Sequence, residues 1–228
     1  MNCLNYLLNR GVTRLCHFTK LKALTHILLS DDGIVSSTAI RPDVKDQKDP
    51  ERYDGELDYV CCSIEYPNSW YLRKAQQRDG DYVFCDWVTV YIDLDILNYR
   101  DVKFCPCNAA THHGTHILSD KSQICDLYSS PNAVNRNRVR SPKMLQCCPT
   151  DDQAEILIKN NIPYSFFSGI AVCNETVAQQ VYSIIRTYEK TPLPIYIAPD
   201  VLNTNWSSSI RSGIRPEETK LTVKEDLA

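Results

Sequence analysis

At 228 residues the chain has room for one sizeable domain, and residues 1–228 are read as one. A hydrophobic fraction of 43% with 23% charged residues excludes a disordered or fibrous protein, and no apolar run is long enough for a membrane span. The net charge of −3 excludes a globally basic nucleic-acid binder, so any basic surface has to be local.

In chain order, Asn2 to Asn9 reads as a short helix ended by Arg10-Gly11. Thr13 to Thr19 is a short strand with Leu15 and His17 on one face. Lys20 to Leu29 follows at helical spacing, with Leu21, Leu24, Ile27 and Leu28 as its stripe. Asp31-Asp32-Gly33 stops that helix, and Ile34-Val35 is extended. Arg41 to Gly55 is a long polar loop, a length that suits a binding role. Asp58 to Tyr66 is a strand broken by Pro67-Asn68, and Trp70 to Arg78 makes a turn or two of helix. Tyr82 to Leu94 and Val102 to Cys105 are β-rich. A helix is expected from Ile117 to Leu127, and then a polar loop, Asn132 to Lys143, carrying Arg136, Arg138, Arg140 and Lys143. Gly169 to Val172 is a strand. Asn174 caps a helix over Val177 to Tyr188, and Ile195 to Ala198 is the last strand. From about residue 207 the chain thins into Ser, Arg, Glu and Lys and is expected to be flexible. Short strands with few helices point to α+β rather than βαβ alternation.

Eleven cysteines, an odd count with two adjacent pairs, and no signal-peptide core between Met1 and Gly11 suggest a reduced cytoplasmic protein. Zinc is the alternative reading of Cys105, Cys107, His112, His113 and Cys125, although Cys-x-x-Cys spacing is absent.

Thr150 to Ile158, TDDQAEILI, carries the chemistry. In an extended segment Gln153 and Glu155 point to one face, an amide beside a carboxylate at the lip of a strand. An edge strand with a polar face is the plainer reading of this segment alone.

Taken together, the segments form a pattern. Residues 15–37, LCHFTKLKALTHILLSDDGIVSS, carry His17-Phe18-Thr19 on a first strand, then a helix, then a turn at Asp32-Gly33-Ile34. Arg52 sits in the polar loop before a strand that runs into SIEYPNSWYL, and DDQAEILI comes later. This order resembles the DarT family of bacterial DNA ADP-ribosyltransferase toxins, itself similar to the wider ADP-ribosyltransferase fold. The stretch from Cys105 to His116 departs from the family pattern.

The resemblance implies an α+β fold of two small packed β-sheets with flanking helices and a central NAD cleft. It implies NAD as co-substrate, no metal, single-stranded DNA as acceptor and a cognate antitoxin that removes ADP-ribose. Glu155 and Arg52 would be catalytic. Cleavage of the nicotinamide–ribose bond passes through an oxocarbenium-like state, which a carboxylate such as Glu155 stabilises. A base must also take the proton of the attacking nitrogen, and one glutamate could do both. Arg52 would hold the pyrophosphate, and His17, Phe18 and Thr19 the rest of NAD. Tyr71 or Tyr66 would stack on nicotinamide. Gln153 would orient the acceptor base, with His112 and His113 in a loop nearby. An unpaired strand calls for cations and stacking rings, here Arg136, Arg138 and Arg140 with Trp70, Trp87 or Trp206. Two alternatives remain: the same fold acting on RNA or protein, and a non-catalytic zinc-containing nucleic-acid-binding module.

Overall fold

The computed structural model describes residues 2–40, 53–78, 87–203 and 205–222. The chain opens with α1 (Cys3–Asn9), capped by Asn2, whose side chain accepts the Leu4 N–H at 2.8 Å. Then come β1 (Leu15–Lys20), α2 (Leu21–Leu29), β2 (Ile34–Val35), β3 (Tyr59–Ile64) and α3 (Ser69–Arg78). The middle of the chain supplies β4 (Trp87–Ile92), α4 (Ile96–Tyr99) and β5 (Val102–Cys105). The last third supplies β6 (Glu155–Lys159), β7 (Asn161–Ile162), β8 (Phe167–Val172) and α5 (Glu175–Thr187). It ends with β9 (Ile195–Ile197), α6 (Pro199–Leu202), α7 (Trp206–Arg211) and β10 (Thr219–Lys220).

The larger sheet runs β10-β9-β8-β4-β1-β3-β6-β5, and β2 pairs with β7 apart from it. Pairing is antiparallel except between β8 and β9. Its continuity is weakest in the middle. β1 pairs with β4 along its whole length, from Leu15↔Ile92 to Lys20↔Trp87, but with β3 only at Leu15↔Ile64 and Cys16↔Ser63. Beyond Cys16 backbone pairing between β1 and β3 stops, so the two strands part along the second half of β1.

The helices bury the stripes their spacing implies. In α2, Leu24 and Leu28 are fully buried while Leu21 and Ile27 pack at the margin of the core. Each fully buried leucine is worth about 1.5–3 kcal/mol of transfer free energy. In α5, Val177, Ala178, Val181 and Ile185 are buried, and Asn174 accepts the Val177 N–H at 2.9 Å. Gly33, with φ +66, makes the turn after α2, where a Cβ would collide with the Ile162 carbonyl oxygen.

Two expectations are corrected. The helix expected over Ile117 to Leu127 is a 3₁₀ segment, Lys121–Tyr128, because Leu118 is drawn into a bridge with Phe104. Their backbones exchange hydrogen bonds of 2.9 and 2.7 Å, which commits Ile117-Leu118 to the edge of β5. The segment from about 207, expected to be flexible, carries the end of α7 and the strand β10. Trp206 and Ile210, one turn apart, are buried in the core. Arg215 then pairs with Glu65 at 3.0 Å, Glu218 pairs with Arg14, and β10 adds to β9. Two charges of this exposed segment, Arg215 and Glu218, are paired with buried or part-buried partners.

Candidate active site

The candidate site begins at β1. His17 Nδ1 lies 3.0 Å from the Cys61 carbonyl oxygen, reaching across to β3 where backbone pairing has stopped. Phe18 packs against Tyr71 and Trp87, with ring centroids 5.7 Å away in both cases. Thr19 pairs with Val88 one step further along.

A chain of hydrogen bonds fixes the start of α3 relative to the sheet. Ser63 Oγ accepts the Asn68 N–H, and Asn68 Oδ1 accepts the Tyr71 N–H, both at 2.9 Å. Ser63 is also the cross-strand partner of Glu155. Tyr71 and Glu155 are thereby referenced to one point on β3.

Glu155 opens β6, between Ser63 of β3 and Cys105 of β5. It is 8% exposed, and its Oε2 accepts the Ala109 N–H at 2.7 Å. A buried carboxylate is costly unless hydrogen bonds compensate it, and this backbone donor does so beside a cavity. The cavity, of about 310 Å³, is lined by Cys107, Asn108, Thr111 and His112, by Val134 and Asn135, and by Asp151 and Gln153. That volume is at the low end for small-molecule sites, about 300–1,000 Å³; it suits one nucleoside better than a dinucleotide. A larger cleft of about 540 Å³ lies at the far end of β6, around Arg100, Asp101 and Lys159, away from Glu155.

The carboxylates beside Glu155 differ from one another. Asp151 Oδ1 accepts the Gln153 N–H at 3.0 Å, and the Asp151 carbonyl accepts the Ala154 N–H at 3.0 Å, closing the turn into β6. Burial raises the Asp151 pKa and the Asp152 charge adds to this, against the opposing pull of the Gln153 N–H, Arg138 and Arg211. Asp152 accepts from Ser69 Oγ at 2.8 Å and faces Arg138 at 3.6 Å. Cys105 and Cys107 lie with sulfurs 3.8 Å apart; their mutual hydrogen bond raises the Cys105 pKa and lowers that of Cys107.

The expected site residues divide. His17, Phe18 and Thr19 lie along the second half of β1 with Tyr71 packed on Phe18, and Gln153 and His112 line the cavity near Glu155. Gln153 is not extended beside Glu155, however. β6 starts only at Glu155, and Gln153 sits in the turn that Asp151 closes. His112 and His113 both adopt left-handed backbone, φ 49° and 57°, and His112 Nδ1 lies 2.9 Å from His116 Nε2. His113 packs on Tyr53, and a Cβ on Gly114 would collide with the Asp54 carbonyl, so this loop abuts the end of the polar loop. Arg52 lies outside the described residues.

Among the cations, Arg136 is exposed and Arg138 half-exposed beside Asp152. Arg140 is committed elsewhere: its guanidinium donates to the Cys148 and Leu145 carbonyls at 2.7 and 2.9 Å, and burial lowers its pKa. Trp206 and Tyr66 are buried against each other, ring centroids 5.2 Å apart, which removes both as stacking surfaces. Trp70 is exposed, with Lys74 over its ring. Among the described residues no cluster of three or more His, Cys, Asp or Glu side chains is placed to hold a metal ion. None of their helices is long and apolar enough to cross a membrane.

Sequence reasoning passed over two residues. Asn132, fully buried, donates to the Pro106 carbonyl at 2.8 Å and accepts from the Val134 and Asn135 N–H groups. It joins the two loops that wall the cavity. Asp151 was visible as the first residue of the Asp-Asp pair before QAE, but only burial distinguishes it from a solvated aspartate.

A family model described as "ssDNA thymidine ADP-ribosyltransferase, DarT" matches residues 16–204. The chain belongs to the DarT family. It is an ADP-ribosyltransferase whose acceptor is single-stranded DNA. Comparison with curated proteins gives no match. Among solved structures, a Thermus sp. 2.9 DarT in complex with ADP-ribosylated ssDNA superposes with TM-score 0.61 at 15% identity, covering 84% of this chain and 96% of that one. The same protein in complex with NAD+ gives TM-score 0.59 at 15% identity, covering 83% and 96%. A Thermosipho africanus DarTG in complex with ADP-ribose gives 0.57 at 14% identity, covering 83% of this chain and 51% of that one. The α+β ADP-ribosyltransferase fold is thus shared across very different sequences.

Proposed function

We propose that this chain transfers ADP-ribose from NAD to thymine in single-stranded DNA, as a cytoplasmic toxin countered by a partner that removes the adduct. The supporting observation is Glu155: a buried carboxylate at the start of β6, within the matched segment, next to the loops that wall a nucleoside-sized cavity.

In this reading NAD lies along the second half of β1. His17 and Thr19 bond its ribose and backbone groups, and the Phe18–Tyr71 pair offers rings for the nicotinamide. Arg52 meets the pyrophosphate. Glu155 binds the nicotinamide ribose hydroxyls and counters the positive charge that grows on the sugar as nicotinamide leaves. The Ala109 N–H keeps that carboxylate aimed. The acceptor base enters the 310 Å³ cavity, where Gln153 and His112 orient it, His113 shapes the rim and Arg136 and Arg138 guide the phosphates. Arg140 supports the loop from inside. A flipped or unpaired base is required, because the reacting nitrogen is otherwise held in a base pair.

The test is incubation with NAD and thymine-containing single-stranded oligonucleotide, read by mass, with RNA and protein acceptors in parallel. The expected result is a gain of one ADP-ribose on the oligonucleotide with wild type, lost in Glu155→Gln. Modification of RNA or protein alone, with the oligonucleotide unchanged, would overturn the acceptor assignment.

A further inference from the structure

We propose that Asp151 is the general base for the acceptor, taking the proton from thymine N3 while Glu155 serves the ribose. The inference rests on the thymine-acceptor reading above. In a thymidine nucleotide N1 is bonded to the sugar, so N3 is the base's one nitrogen carrying a proton. When N3 bonds to C1′ of the ribose, the C1′–nicotinamide bond breaks and nicotinamide leaves with that electron pair as a neutral molecule. The N3 proton then has to go to a base within reach.

Three observations favour Asp151 for this duty. It is 2% exposed yet lines the cavity beside Glu155, together with Gln153 and Asn108. Its carboxylate is fixed, with Oδ1 accepting the Gln153 N–H at 3.0 Å and no other hydrogen bond to the carboxylate among the described residues. Its own carbonyl closes the turn into β6, so its position relative to Glu155 is set by the backbone over four residues.

Dividing the work also resolves a conflict. A carboxylate stabilising a cationic sugar has to stay charged, whereas a base has to accept a proton. Two carboxylates in different environments can meet both demands. Asp151 has the environment for the second. Burial and Asp152 favour its protonated form, against the Gln153 N–H, Arg138 and Arg211, and Cys107 also senses its charge.

The experiment compares two acceptors in the same oligonucleotide: a single thymine and a single 5-fluorouracil, whose N3–H is more acidic. Asp151→Asn keeps the Oδ1 acceptor for Gln153 but cannot take a proton. It is expected to slow transfer to thymine by about 100-fold or more. Transfer to 5-fluorouracil should suffer much less, so the preference for the acidic base rises at least about tenfold over wild type. Asp151→Glu, which retains a carboxylate, should recover part of the thymine rate. The inference is overturned if Asp151→Asn keeps the wild-type preference between the two bases. It is also overturned if Asp151→Asn is inactive on both and Asp151→Glu regains neither. Failure of wild type to modify either oligonucleotide would instead remove the thymine reading itself.

Discussion

Two buried glutamates stand at ends of paired strands, in different surroundings. Glu65 follows β3 and is 1% exposed; Glu155 starts β6 and is 8% exposed. Glu65 is saturated by the fold. Its carboxylate accepts from Thr13 N–H at 2.8 Å and from Thr13 Oγ1, and pairs with Arg215 at 3.0 Å. Its backbone is left-handed at φ +65°, a costly conformation for glutamate that is over-determined here by Arg14 and Cys16 bonding its carbonyl. Glu155 instead accepts the Ala109 N–H at 2.7 Å and lies next to the loops that wall the 310 Å³ cavity. The contrast to be tested is between a carboxylate that clamps the fold and one proposed to act on substrate.

The largest effect should come from Glu155. Replacing it with Gln keeps an oxygen for the Ala109 N–H but removes the negative charge. Transfer to DNA should fall by about 100- to 1,000-fold, with the melting temperature close to wild type. Single-turnover rates and calorimetry on the same preparation check this. A large loss of stability would place Glu155 with Glu65 as a clamp.

Glu65→Gln should behave in the reverse manner. It turns an acceptor-only group into one that presents a donor to Thr13 or Arg215, and removes charge-assisted hydrogen bonds worth about 1.5–3 kcal/mol each. Because Arg215 is half-exposed, the expected loss is at the lower end, about 2 kcal/mol. Denaturant unfolding measures it, and activity per folded molecule should be retained.

The loop cations offer a smaller contrast of the same kind. Arg136→Ala with Arg138→Ala should raise the DNA concentration needed for half-maximal rate and flatten its salt dependence by about one to two counterions. Arg140→Ala should lower stability instead, since the Cys148 and Leu145 carbonyls lose their donor. If all three substitutions weaken DNA binding alike, the division of this loop into outer and inner arginines is wrong.

This contrast also explains what could be read from the sequence. Periodicity placed α2, α5 and most strands to within a few residues, because one side of each is buried and the pattern records it. The strands that carry His17 and Glu155 were legible because they follow a recurrent order. Gln153 was misplaced because nothing in QAE marks where the turn ends; that boundary is set by Asp151 reaching back to the Gln153 N–H. Arg140 and Arg138 look alike in sequence, and only tertiary packing sends one inward. Glu65, Arg14, Arg215 and Glu218 were invisible as a group because two are separated from the others by about 150 residues or more of chain.

Asp151 allows the comparison to be drawn within one side chain, through pH. Burial raises its pKa above that of the unfolded chain, with Asp152 acting in the same direction. A group whose folded-state pKa is raised contributes stability that is fully present below the unfolded pKa and lost as pH rises through the folded one. At neutral pH the ionised Asp151 therefore lowers stability relative to a neutral isostere. Asp151→Asn should melt higher than wild type near neutral pH, and the difference should shrink as pH falls below about 4, where the unfolded aspartate is protonated. Melting temperatures of both proteins across that range test it. A gain in stability together with a loss of transfer would mark Asp151 as a strained functional group. A variant less stable than wild type at neutral pH would show that Gln153, Arg138 and Arg211 hold the carboxylate as Thr13 and Arg215 hold Glu65.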